Sequence, residues 1–92
     1  MSPEDALALA NTEVVRVGQA CAEDLMLSGQ AIEIDEGWVF FYNTREFVET
    51  GKPSARLAGN GPIFVDRDGR IHQLPTSMPW EESLERLRKS ST

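Results

Sequence analysis

The spacing of apolar residues changes period along the chain, and each change marks an element. Between Pro3 and about Ala20, Leu7, Ala10, Val14, Val17 and Cys21 recur at intervals of three and four. That period draws one apolar stripe on an amphipathic helix. Ser2 supplies a capping hydroxyl, Pro3 sits where a missing N–H costs nothing, and Glu4 and Asp5 face the positive end of the helix dipole. The helix is expected to run from about Pro3 to about Ala20, with Gly18 a weak point that could end it early. On the stripe, Cys21 reads as a small packed residue.

The period then shortens to two. Leu25–Leu27 is a short apolar run, and beyond Gly29 the segment Ala31–Asp35 alternates Ile32 and Ile34 with Glu33 and Asp35, so one face is buried and the other wet. Glu36 and Gly37 turn the chain into Trp38–Tyr42, making a hairpin. In its second arm Trp38, Phe40 and Tyr42 point one way and Val39 and Phe41 the other. A strand apolar on both faces belongs at the centre of a sheet, with the N-terminal helix over one face and something less extensive over the other.

Shorter elements follow. Thr44 caps a turn of helix through Glu49, with Phe47 and Val48 inward and Gly51 as the stop. Pro53–Ala58 is a second turn that buries Leu57. Gly59, Asn60, Gly61 and Pro62 bend the backbone into a strand, Ile63–Asp66. Asp66–Gly69 is a hairpin turn into Ile71–Leu74, with Gly69 left-handed. Thr76–Pro79 opens a last helix, on which Trp80, Leu84 and Leu87 share a face and Arg86, Arg88 and Lys89 favour the C-terminal end. The sum is one α+β domain over residues 1–92, with a mostly antiparallel sheet of about four strands packed between N- and C-terminal helices.

Charge narrows the function. Nine basic against fifteen acidic residues give a net charge of −6. Such a surface repels phosphate backbones and anionic lipid, which argues against nucleic acid and membrane as partners. It draws in a basic protein, and it also simply keeps a protein in solution. No apolar run approaches a bilayer span, and Glu4 and Asp5 stand where a signal peptide carries bases. A single cysteine fits a reducing compartment. A cytoplasmic protein, monomeric or weakly dimeric, is expected.

Catalytic chemistry finds little support. One His and one Cys do not make a metal cluster or a paired nucleophile and base, and His72 reads as a partly exposed surface residue. Asp66–Gly69 lacks the ligand spacing of a calcium loop. The glycine-rich turn lacks the Lys and Ser or Thr of a phosphate loop, and Pro62 removes a donor. Glu81 and Glu82, at a helix start, are explained by solvation. No enzyme activity, cofactor or metal is therefore expected. What is left is surface: Glu33, Asp35 and Glu36, with Glu46 and Glu49 on the next turn, are expected to line one acidic edge. That edge is a candidate partner-binding patch or a solvated face, and Tyr42 and Trp80 are weaker candidates for an anchor beside it.

The runs GWVFFYNTREFVETG, residues 37–51, and LAGNGPIFVDRDGRIH, residues 57–72, resemble the immunity protein 35 family, also called the YrhB-type domain. That family pairs a GW-aromatic strand and short helix with an AGN-small-P turn, an apolar strand ending VDR, a glycine turn and a closing strand. The resemblance implies an α+β fold and a non-enzymatic antidote that blocks a toxin by direct binding within a bacterial polymorphic toxin system. It makes Trp38 the signature tryptophan and gives Trp38, Tyr42, Gly59, Asn60, Gly61 and Pro62 a structural role. The family's toxins are varied, and papain-like folds are among them. Members usually carry a GT pair after the closing strand, where this chain has Pro75 and Thr76, which leaves the geometry of that loop open. A small chaperone-like or general interaction domain is the alternative.

Overall fold

The protein was analysed as a computed structural model, in which residues 2–56, 61–74 and 79–90 are described. Leu57, Ala58, Gly59, Asn60, Pro75, Thr76 and the side chains of Leu87, Arg88 and Lys89, all given a place above, lie outside the described residues. Among those residues there are three α-helices and four strands.

The first helix, α1, spans Pro3–Cys21 and begins with a reciprocal cap: Asp5 N donates to Ser2 Oγ and Ser2 N to Asp5 Oδ2, each at 3.2 Å. Its buried face is not the expected stripe. Ala10 and Val14 are buried as anticipated and Val17 is half-buried, but Ala6 and Gly18 complete the row, while Leu7 and Cys21 are exposed. Small residues were needed because the opposing sheet face carries Trp38, Phe40 and Tyr42. Large rings pack against a helix only if its backbone comes close. Gly18 accordingly lies within the helix and does not end it; a Cβ there would meet Glu23 O at 2.6 Å. Ala22, in the left-handed region at φ 57°, ends it instead.

Strand β1 covers Leu25–Ile34, β2 Gly37–Thr44, β3 Ile63–Asp66 and β4 Ile71–Gln73. They form an antiparallel meander in the order β1-β2-β3-β4. The two stretches read separately from the sequence, Leu25–Leu27 and Ala31–Asp35, are parts of one long strand. Its register slips between them: Ser28 opposes Phe41 and Ile32 opposes Val39, so three residues on β1 face one on β2. This bulge bends an edge strand out of plane.

Alternation along β2 sorts the core into two layers. Trp38, Phe40 and Tyr42 join Leu25, Ile63 and Val65 beneath α1, with Ala6, Ala10 and Val14 above them. Val39 joins Phe64, Leu74 and Leu84 on the other face, where the last helix, α3 at Trp80–Ser90, supplies Leu84 and the half-buried Trp80. Gly37 marks the closest approach of β2 and β3: its φ is +155°, and a Cβ would lie 2.1 Å from Val65 O. No side chain fits there.

The connection after β2 follows the cap logic of its sequence. Thr44 Oγ1 accepts from Phe47 N at 3.1 Å and donates to Ala55 O at 2.7 Å, tying α2, Arg45–Thr50, to a short 3₁₀ turn at Pro53–Ala55. Gly51 ends α2 in the left-handed region, and Gly69 does the same in the β3–β4 turn.

Candidate functional site

The acidic residues singled out above fall at two separate places. Glu33 lies next to the last residue of β1, and Asp35 and Glu36 form its turn into β2, whereas Glu46 and Glu49 lie on α2 beyond the other end of β2. Seven residue steps of strand separate the ends, about 23 Å. The single acidic edge is therefore two patches.

At the turn end, charge is organised by a residue that the sequence reading left unassigned. Arg67, from the β3–β4 turn, lays its guanidinium over the Trp38 ring, 4.3 Å from the centroid. Its Nη2 donates to Ile34 O at 2.7 Å and to Glu33 Oε2 at 3.1 Å, and its Nε donates to Asp35 O at 3.2 Å. Arg67 N donates to Glu36 O at 3.1 Å. One side chain thus shields the tryptophan, holds the hairpin turn and offsets Glu33. Asp35 is exposed and Glu36 half-buried.

At the far end, Glu46 and Glu49 join Glu23 and Asp24 around a polar cup of about 580 Å³. Arg45 and Arg56 share its wall. Asp24 pairs with Arg45 at 3.1 Å and Glu46 with Lys52 at 3.6 Å. Two of these four acids are paired with a cation and Arg56 adds a further positive charge to the wall, so the cup is a mixed polar surface and not a concentrated negative field.

A second concavity, absent from the sequence reading, lies where the first turns of α1 pass the β1 bulge. This groove, about 380 Å³, is walled by Pro3, Glu4 and Leu7 on the helix and by residues 27–31 on the strand, with Trp38 and Phe40 among its lining. Leu7 is 45% exposed here. Trp38 is buried to within 2% of its surface, yet among the described residues its Nε1 has no hydrogen-bond partner. A glycine interrupting an apolar strand pattern is the signal for such a bulge.

His72 is partly exposed, as expected, but it is not a bystander. Its Nε2 lies 3.1 Å from Asp66 Oδ2, and its ring stacks on Phe64 with centroids 5.5 Å apart. Partial burial pushes the Asp66 carboxyl upward, but hydrogen bonds from His72 and from the Arg70 and Asp68 amides outweigh it and hold its pKa below the ordinary value. Burial, with Cys21 and Glu13 nearby, raises the Tyr42 hydroxyl's pKa. Glu13 accepts from Arg16 and from Gln73 Nε2, linking α1 to β4, and the Arg16 bond above all keeps it ionised to lower pH than usual.

No geometry for covalent chemistry assembles from these groups. Cys21, on α1, and His72, on the sheet face turned toward α3, stand on opposite sides of the sheet. Among the described residues no three His, Cys, Asp or Glu side chains are grouped to hold a metal ion, and no helix is long and apolar enough to cross a membrane. Of the motif residues, Trp38 and Tyr42 are buried in the core; Gly61 and Pro62 are half-buried, and Pro62 O accepts from Leu74 N at 3.0 Å.

Comparison with known proteins agrees with the motif reading. A family model described as immunity protein 35 matches residues 4–89. The uncharacterized protein YrhB of Escherichia coli (strain K12) is 53% identical over 51 residues, which is 54% of this chain and 54% of that relative. The chain thus spans about half the length of the curated relative it matches. No solved structure matches it. With the GW strand, the VDR strand and all but one end residue of each terminal helix inside the matched span, the chain belongs to the immunity protein 35 family.

Proposed function

We propose that this protein is an antidote: it binds a cognate bacterial toxin, encoded beside it in a polymorphic toxin system, and neutralises it by covering the toxin's active site. The observation that carries this reading is the family match across residues 4–89. Consistent with action by contact, the central strands β2 and β3 are packed on both faces, and ion pairs lie on the surface. The partner is a protein toxin, with peptidase-like or deamidating enzymes of papain-like fold among the candidates, met in the cytoplasm by a monomer or weak dimer of one domain. No nucleic acid, membrane, cofactor or catalysis of its own enters the mechanism.

The test is coexpression with the product of the adjacent gene. Growth rescue and a copurifying complex are expected; loss of both contradicts the reading. The acidic patches then divide the contact surface. Reversing Glu33 and Asp35 to Lys is expected to weaken the complex at low salt, and the same change at Glu46 and Glu49 reports on the other end. A second reading, a chaperone-like domain, draws on the exposed side chains of Leu7, Val15 and Ile32. It predicts suppression of aggregation in unrelated heated proteins with no preference for the neighbouring gene product.

A further inference from the structure

The groove between α1 and the β1 bulge is a space that the fold's own packing leaves open, and its features converge on one kind of occupant. Leu7 leaves 45% of its surface in water although half-buried and buried apolar neighbours lie on the same helix. Across from it, Gly29, Gln30 and Ala31 stand outside the Cα pairing with β2. β1 is the edge of the meander, so its outer backbone groups face away from the sheet. The bulge prevents a long partner strand from continuing along that edge in flat register. A short extended segment that inserts one side chain at the bulge is accommodated.

Charge selects among occupants. Glu4 is in the groove wall, and the whole chain carries −6. A second copy of this chain brings the same charge and is repelled, whereas a basic segment is attracted.

We propose that this groove is where the toxin is anchored: an extended toxin segment places one large apolar side chain between Leu7 and the β1 bulge, with Lys or Arg next to it against Glu4. This rests on the antidote reading and specifies the surface that performs it.

The experiment titrates a catalytically silenced product of the adjacent toxin gene against wild type, Leu7→Glu and Val15→Glu, with thermal melts of each. Val15 is 56% exposed on the same helix and does not line the groove. Both substitutions add the same negative charge, which attraction alone would turn into tighter binding. Leu7→Glu is expected to weaken binding by about tenfold or more, with an unchanged melting temperature, and Val15→Glu to bind within about twofold of wild type. Glu4→Lys is expected to weaken binding by a smaller factor that vanishes in high salt. Equal affinity for Leu7→Glu and wild type overturns the groove and leaves the antidote reading intact. Absence of wild-type binding overturns both. If Leu7→Glu melts early, a benzophenone side chain replacing exposed Gln30 decides: crosslinking to an apolar residue flanked by bases supports the proposal, and crosslinks confined to other segments overturn it.

Discussion

The two faces of the sheet are built differently. Beneath α1, three aromatic rings of β2 meet a helix row of Ala6, Ala10, Val14 and Gly18, and nine buried residues form one cluster. Opposite, beneath α3, the corresponding cluster among the described residues has four. Among the described residues, the α1 face therefore carries the larger share of the apolar burial on which a domain of this size depends. The difference teaches where function can sit: β2 and β3 are packed on both faces, so a partner is left with the exposed edge strand β1, the turns and the outer sides of the helices.

The largest expected effect lies on the heavier face. Trp38→Ala removes its central ring and is expected to cost about 3–5 kcal/mol in chemical denaturation, enough to unfold much of a marginal domain. Leu84→Ala, on the lighter face, is expected to cost about 2–3 kcal/mol; a loss equal to that of Trp38→Ala would break the comparison. Gly37→Ala forces β2 and β3 apart at a point shared by both faces and is expected to cost about 1–3 kcal/mol, read from the same unfolding curves. Arg67→Ala is smaller, about 1 kcal/mol, because the guanidinium is partly exposed. It should also shift Trp38 fluorescence, best read with Trp80 replaced by Phe.

The smallest effect is one of pH. Asp66 has a lowered pKa in the folded protein, so its stabilisation is complete above its ordinary value of 3.8 and is lost as pH falls through the folded value. Thermal melts from pH 7 to pH 2 should show a steeper acid limb for wild type than for Asp66→Asn. Parallel limbs would mean that the His72 and amide hydrogen bonds add nothing on this face.

Much of the architecture was legible because local chemistry and period agreed. Ser2 and Thr44 as caps, Gly51 and Gly69 as left-handed stops and the alternation from Trp38 to Tyr42 each specify a conformation through near neighbours. The α1 face was misplaced toward Leu7 and Cys21 because Ala6 and Gly18 carry almost no hydrophobic signal, although small size is what the opposing rings demand. β1 was divided at Gly29 because a bulge and a break look alike in sequence. The Arg67 clamp joins residues more than thirty positions apart, so no spacing reveals it. The acids were legible as exposed residues, but their division between two ends depends on the length and direction of β2.

The central claim, that this scaffold acts by binding a toxin, is tested most directly by calorimetric titration of the silenced adjacent-gene product into the purified protein. The account predicts a saturable complex of fixed stoichiometry with Kd at or below about 10⁻⁷ M, comparable to other specific protein pairs, and loss of toxin activity at the same equivalence point. A toxin that stays fully active in saturating excess of this protein, with no heat of binding, would contradict it.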